Sequence, residues 1–183
     1  MILPIYGYGQ PVLKKIAGDI DQDYPDLKEL IENMWETMYH ANGVGLAAPQ
    51  IGLPIRLFVV DTTQMFKEKD KDKGIKRVLI NAQKIEETGE EWCYEEGCLS
   101  IPDVRGEVDR PESILLKSMN EDFQENIETF DGINARVIQH EYDHIDGVLF
   151  VDKLSPVRKR LVRGKLAAML KGKVSHDYRM KWK

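Results

Sequence analysis

The HEYDH segment that begins at His140 constrains the fold of this chain more than any other part of the sequence. On an α-helix, residues four positions apart project from the same face, so His140 and His144 can hold one metal ion. Ile133 and Val137 extend the same stripe toward the N-terminus, with steps of four and three residues. The pattern therefore predicts a helix over about 132–145, one face of which carries both apolar and metal-binding side chains.

Glu141 follows the first histidine directly, so its carboxylate can reach a water molecule bound to the same metal. A catalytic metal site of this type needs a third protein ligand and leaves one position open. No glutamate follows Glu141 in the chain, and Phe150 stands where the longer metalloprotease pattern has its last histidine. The third ligand must therefore come from elsewhere, and the candidates are Cys98, Cys93 and His40, with His176 in the tail as the weakest.

Cys98 is the strongest of these candidates because of the residues around it. Gly97 lets the backbone pass close to another group, and Pro102 stiffens the chain that follows. Such a segment can hold a thiolate rigidly and direct a backbone N–H beside it. A single cysteine is otherwise most often a small buried hydrophobic residue, so the choice of sulfur stays open at this point.

The remaining periodicity predicts an α+β domain with antiparallel sheet, because strands occupy the middle of the chain and helices occupy both ends. Apolar positions at helical spacing predict helices over about 25–41 and 156–171, and Ser155 is a suitable N-cap for the second. Tyr142 and Asp143 are expected at exposed helix positions. Strands are predicted near 55–61, 77–81, 84–95, 104–109, 113–119 and 124–130.

Charge is distributed unevenly along the chain, whose net charge is −5. Residues 155–183 carry ten Lys/Arg and one acid, whereas residues 1–154 carry sixteen Lys/Arg and thirty acids. A basic tail of this kind favours an anionic partner, and the alternative is a solvated helix face. No apolar run approaches the roughly 18 residues that a membrane span needs, and the first residues lack the pattern of a signal peptide. We therefore expect a cytoplasmic protein that acts without a membrane.

Three segments resemble, in order, the three motifs of the peptide deformylase family: GVGLAAPQ at 43–50, EGCLS at 96–100 and QHEYDH at 139–144. The resemblance covers about residues 2–155. It implies a fold in which antiparallel β-sheets pack around a central helix that carries HEYDH, with a C-terminal helix. It also implies removal of the formyl group from the N-terminal formyl-methionine of newly made polypeptides, with release of formate. The metal implied is Fe²⁺, with Zn²⁺, Ni²⁺ or Co²⁺ possible after purification.

The same resemblance implies a role for each matched residue. Cys98, His140 and His144 are the implied metal ligands, and Glu141 is the implied general acid and base. The side chain of Gln50 and the backbone N–H of Leu99 are the implied oxyanion donors. The implied substrate-binding positions are Val44, Gly45, Tyr94, Gly97, Arg105, Ile133 and Val137.

Two parts of the chain depart from the motifs that carry the resemblance: the insert at 62–76 and the basic helix after residue 155. We therefore divide the chain into a metal-dependent catalytic part over 1–155 and a basic C-terminal helix and tail over 156–183, within the same domain or appended to it. The ribosome is a candidate partner of the tail, whereas DNA is not expected. The basic residues available for RNA phosphate are Arg158, Lys159, Arg160, Arg163 and Lys165.

Two other functions stay open from the residues alone. HEYDH is also typical of metallopeptidases, although Phe150 and the missing downstream glutamate count against that interpretation. The second alternative is a binding module, in which the metal is structural and the basic tail binds RNA or the ribosome. A structural zinc site, however, more often has four protein ligands and no open position. The carboxylate of Glu141 would then have no metal-bound water to act on.

Overall fold

The computed structural model describes residues 1–174 and 176–183, and within these ranges it contains three α-helices and seven β-strands. The helices are α1 (Leu27–His40), α2 (Gly132–Ile145) and α3 (Pro156–Leu170). The strands are β1 (Ile5–Tyr6), β2 (Gly45–Ala47), β3 (Leu57–Asp61), β4 (Lys76–Cys98), β5 (Ile101–Met119), β6 (Glu125–Asp131) and β7 (Met180–Lys181).

Strands β2 to β6 form one antiparallel sheet in the order β2-β3-β4-β5-β6. Helix α2 packs on this sheet, where Ile138 joins an apolar cluster with Phe58, Val60 and Leu116. Most of α2 is buried, including its polar residues, because the helix lies inside the domain. This arrangement confirms the expected α+β fold with a central helix that carries HEYDH.

Strands β4 and β5 are longer than the sequence pattern predicts. The expected strands at 77–81 and 84–95 are one strand, and those at 104–109 and 113–119 are also one strand. The pairing of β4 with β5 shifts register at several points, one of them next to Gly89, whose φ of +85° suits glycine. Each bulge interrupts the alternation of side chains without ending the strand, so an unbroken strand looks like two short ones in the sequence.

The helices agree closely with the predicted ranges. Helix α1 buries Ile31, Met34 and Met38 on one face, as its three-and-four spacing requires. Helix α3 begins after Ser155, whose side-chain oxygen accepts a hydrogen bond from the backbone N–H of Arg158 at 3.3 Å. No helix of the described residues combines the length and the apolar character that crossing a bilayer requires.

The two chain termini meet beside the turn that joins β4 to β5. Strands β1 and β7 pair in parallel, and the backbone N–H of Tyr8 donates to the carbonyl of Ser100 in this turn at 2.9 Å. The sequence pattern does not predict β1 or β7, because two residues are too few to show alternation. On the same side, Met169 of α3 is buried against Val104 and Val108 of β5.

Candidate metal centre

The side chains of Cys98, His140 and His144 converge at one point. Cys98 is the last residue of β4, and the two histidines lie one turn apart on α2. One ligand atom from each residue lies within 4.8 Å of the other two, and the Sγ of Cys98 is 3.3 Å from the Nε2 of His144. Cys93 is exposed on β4 and does not belong to this cluster of described residues.

The chemistry of these three residues fits a single divalent transition metal ion. A thiolate and two imidazoles are ligands that Fe²⁺, Zn²⁺, Co²⁺ and Ni²⁺ all accept. Burial and the neighbouring His140 lower the pKa of His144, which keeps its ring neutral and able to act as a ligand. For His140, burial lowers the pKa, but hydrogen bonds with Cys98 and Glu96 outweigh it and raise the pKa well above its usual value. Because only an unprotonated imidazole nitrogen can bind a metal ion, metal and proton compete for His140.

Glu96 orients the ring of His140 through Nδ1, the ring nitrogen that is not needed for the metal. The Nδ1 of His140 donates to the Oε2 of Glu96 at 2.9 Å, which leaves the lone pair of Nε2 for a metal. Arg110 and Arg136 donate to the Oε1 of Glu96 at 2.7 and 3.0 Å. Burial alone would raise the pKa of Glu96, but the hydrogen bonds with His140 and Arg110 hold it well below the usual range.

Contacts with neighbouring strands correct the expectation that Tyr142 and Asp143 are exposed. The carboxylate of Asp143 accepts a hydrogen bond from Arg110 at 2.7 Å. The hydroxyl of Tyr142 accepts one from the backbone N–H of Lys84 at 3.1 Å, and its side chain is buried. Both residues face neighbouring strands because α2 lies inside the domain and has almost no solvent-facing side.

Glu141 lies beside the metal ligands and packs against β2. Its carboxylate is so close to Gly45 that even a methyl group on that glycine would overlap with it. The Oε2 atom is buried and has no hydrogen-bond partner among the described residues. Burial raises the pKa of Glu141 to about 7. A buried carboxyl group with one unpaired oxygen is suited to take up and release a proton.

Gln50 is buried beside the sulfur of Cys98. Its Oε1 accepts a hydrogen bond from the backbone N–H of Ala47 at 2.8 Å, which fixes the orientation of the amide. The Nε2 then lies 3.2 Å from the Oγ of Ser100 and 3.5 Å from the Sγ of Cys98. Leu99 follows Cys98 in the turn between β4 and β5, so its backbone N–H is adjacent to the ligand.

A cleft of about 470 Å³ opens in front of these groups. Most of the predicted substrate-binding residues line it: Val44, Gly45, Tyr94, Gly97, Arg105 and Val137. Ile133 is the exception, because it lies about two helical turns from His140 and is not among the described residues that line the cleft. The assignment of Ile133 to the wall of the methionine pocket therefore stays a prediction.

Several residues of the cleft and its support were not predicted from the sequence. Met65 of the insert, Arg136 and Tyr178 line the cleft, and Glu96 and Ser100 contact the predicted site residues. Glu96 and Ser100 lie within the EGCLS motif, so their position could have identified them. Tyr178 has no sequence signal, because the tail contains no motif or periodic pattern that places it.

Comparison with known proteins identifies one family, which is the family that the three sequence motifs resemble. The family model described as polypeptide deformylase matches residues 2–160. A peptide deformylase of Christiangramia forsetii is 55% identical, with 100% of this chain and 96% of the relative covered. A peptide deformylase of Flavobacterium johnsoniae is 57% identical with the same coverage.

Solved structures agree with this assignment. The peptide deformylase of Thermotoga maritima has a TM-score of 0.77 and 40% sequence identity, over 85% of this chain and 99% of that protein. A peptide deformylase of Legionella pneumophila has a TM-score of 0.81 and 37% identity, over 96% and 100%. The matched proteins described here are all peptide deformylases, so they support neither of the two alternative functions, a metallopeptidase and a binding module. The chain belongs to the polypeptide deformylase family, the metal-dependent hydrolases that remove the formyl group from the N-terminus of newly made polypeptides.

Proposed function

We propose that this hydrolase uses Cys98, His140 and His144 as its metal ligands and Glu141 as its general acid and base. The convergence of the three ligand atoms within 4.8 Å of one another carries the proposal. Glu141 lies next to them in sequence, and its carboxylate packs against the Gly45 backbone at the edge of the cleft. The arrangement leaves a face of the metal site toward the cleft, where a formylated N-terminus can enter.

The native metal in this proposal is Fe²⁺, bound by one thiolate and two imidazoles. When bound, the ion lowers the pKa of a coordinated water molecule and polarises the formyl oxygen. Glu96 supports the site by fixing the ring of His140, and Gln50 supports it with an amide N–H near the sulfur of Cys98. Metal analysis of protein purified without air, with activity followed in parallel, tests the identity of the ion.

Glu141 moves the proton during the reaction. Its carboxylate accepts a proton from the attacking water as the new C–O bond forms at the formyl carbon. It then donates a proton to the leaving amine as the C–N bond breaks, which releases formate and a free N-terminal methionine. General acid–base groups of this kind typically contribute about 10²–10⁴-fold to the rate.

Gln50 and Leu99 stabilise the negative charge that develops on the former carbonyl oxygen. The Gln50 amide donates from a fixed orientation, because its other end is held by the backbone of Ala47. The backbone N–H of Leu99 donates from the turn that follows Cys98. One preorganised donor of this kind is worth roughly 3–4 kcal/mol of the barrier.

The cleft in front of the site binds the methionine side chain and the peptide that follows it. Val44 and Val137 provide apolar walls, and Tyr94 provides an aromatic one. At the rim, Arg105 is held by the side chain and the carbonyl of Glu95 at 3.2 and 3.1 Å. A formyl group is small, so a narrow site can admit it and reject internal peptide bonds.

Replacement of Glu141 by alanine tests the proposal. The variant should keep its fold and its metal but release formate from a formyl-Met peptide about 10²–10⁴-fold more slowly, because only a proton carrier is removed. Glu90→Ala, at an exposed position of β4, is the matched control and should stay active. Near-normal turnover in metal-loaded Glu141→Ala would exclude this residue from the mechanism.

The basic helix α3 supports a second proposal, that this cytoplasmic enzyme docks on ribosomal RNA. Two of the five basic side chains expected to contact RNA are already bonded within the protein. Arg158 donates to Glu107 at 2.6 Å, and Lys165 donates to the carbonyl of Asp103 at 2.7 Å. Lys159, Arg160 and Arg163 are exposed, and this exposure supports the proposal that they contact phosphate.

The double variant Arg160→Glu/Arg163→Glu should sediment poorly with ribosomes and turn over a short formyl peptide normally. The difference between parent and variant should shrink as salt rises, because contacts with phosphate release counterions. Lys15→Glu/Lys28→Glu changes the net charge equally at exposed positions outside α3 and is the control. Equal sedimentation of all three proteins at low salt would show that α3 is only a solvated face.

A further inference from the structure

The turn that joins β4 to β5 consists of only two residues, Leu99 and Ser100, and both of their carbonyls are bonded from outside the sheet. The carbonyl of Leu99 accepts a hydrogen bond from the Tyr178 hydroxyl at 2.7 Å. The carbonyl of Ser100 accepts one from the backbone N–H of Tyr8 at 2.9 Å. The turn next to the metal ligand Cys98 is therefore held by residues from the two ends of the chain.

Tyr178 is itself fixed in place. Its side chain is buried in an apolar cluster with Ile5 and Ala41, and the side chains of Leu99 and Met180 pack against this cluster. The strand that follows, β7, pairs with β1, where Met180 lies opposite Ile5. Burial raises the pKa of Tyr178, so its hydroxyl stays protonated and available as a donor.

The position of the Leu99 carbonyl bears directly on the Leu99 N–H. On one side of this N–H, Cys98 is held by its pairing with Ile101 and by its contacts with Gln50 and His144. On the other side, the Tyr178 hydroxyl restrains the next peptide unit. With both neighbouring peptide units restrained, the Leu99 N–H has little freedom to reorient, and both Leu99 and Tyr178 line the cleft.

We propose that Tyr178 is a positioning residue for deformylation, which holds the Leu99 carbonyl so that the Leu99 N–H points at the developing oxyanion. This inference rests on the role given to Leu99 under the proposed function. Tyr178 lies beyond residue 160, where the match to the family model ends. The C-terminal tail thus contributes to the active site through the turn, without contacting the reacting atoms.

Tyr178→Phe tests the inference, because it removes the hydroxyl and keeps the aromatic ring that packs against Ile5. In the metal-loaded enzyme, kcat for a formyl-Met peptide should fall about three- to tenfold, the range that one hydrogen bond is worth, while KM and metal content stay within about twofold. Tyr6→Phe is the control. It removes a hydroxyl from the neighbouring strand β1, where Lys181 is the donor, and kcat should not change.

Amide hydrogen exchange of the metal-loaded protein gives a readout independent of activity. The amides of Leu99 and Ser100 should exchange faster in Tyr178→Phe than in the parent, and at the parent rate in Tyr6→Phe. Unchanged kcat in Tyr178→Phe, or a loss that falls on KM or metal content instead, would overturn the inference while the active parent still supports the proposed function. An inactive parent would overturn the proposed function and this inference with it.

Discussion

Substitution of Gly45 by alanine tests how closely the site is built around Glu141. Gly45 is the first residue of β2 and pairs with Val60 of β3. A Cβ atom on Gly45 would lie 2.7 Å from both Cδ and Cγ of Glu141, and closer still to Oε1. Ordinary contacts of a Cβ atom begin at 3.4 Å, and approaches under 3.0 Å are essentially never seen. One of the two residues must therefore move.

The size of this movement sets the expected loss of activity. To restore ordinary contact, the Cδ atom of Glu141 has to move by about 0.7 Å and Oε1 by about 1 Å, given that β2 is held in the sheet. A misplacement of about 1 Å at a reacting group costs on the order of 10²-fold in rate. We therefore expect Gly45→Ala to lose about 100-fold in kcat/KM and, through overpacking, about 1–3 kcal/mol in the free energy of unfolding.

The assay is formate release from a formyl-Met peptide, with metal content measured on the same sample. Gly18→Ala is the matched control, because a Cβ atom at Gly18 meets no atom within 4 Å and the backbone hydrogen bond of Gly18 to Pro54 is retained. A folded, metal-loaded Gly45→Ala that keeps more than about a third of the parent activity would refute the steric reasoning. It would show that the carboxylate of Glu141 tolerates displacement.

Two further predictions concern the metal site. Cys98→Ala should lose both metal and activity, whereas Cys93→Ala, at an exposed position of the same strand, should keep both; metal analysis of the two purified proteins decides which sulfur is the ligand. Glu96→Gln should lower metal affinity about 10- to 100-fold, because it weakens the charged hydrogen bond that orients His140. Competition with a chelator measures this affinity, and an unchanged value would mean that Glu96 serves only the packing of its two arginine partners.

The central part of the site could be predicted because it depends on local geometry. Two histidines four residues apart share a face on any α-helix, so the pairing of His140 and His144 can be predicted without knowledge of the rest of the fold. The neighbouring Gly97 favours Cys98 as the third ligand, and both residues lie at the end of β4 where the chain turns. Segments with strong periodicity, such as α1 and α2, were predicted for the same reason.

The support of the site could not be predicted, because it joins residues that are distant in sequence. Arg110 of β5 contacts Glu96 of β4 and Asp143 of α2, and a single sequence shows only that three charged residues exist. A polar residue on a helix usually faces solvent, so the sequence predicts an exposed Asp143. The contact of Tyr178 with Leu99 spans 79 positions and depends on β1 and β7, which are too short to leave a pattern.

Several charged side chains lie inside this domain, next to the metal ligands, because they pair with one another. The carboxylates of Glu96 and Asp143 pair with the guanidinium group of Arg110. Arg136 also pairs with Glu96, and Lys153 approaches Asp143 at 3.6 Å. Uncompensated charge is costly in a protein interior, so the two arginines stabilise the site by pairing with the buried carboxylate of Glu96. The network thus sets the charge of the site as well as the orientation of His140.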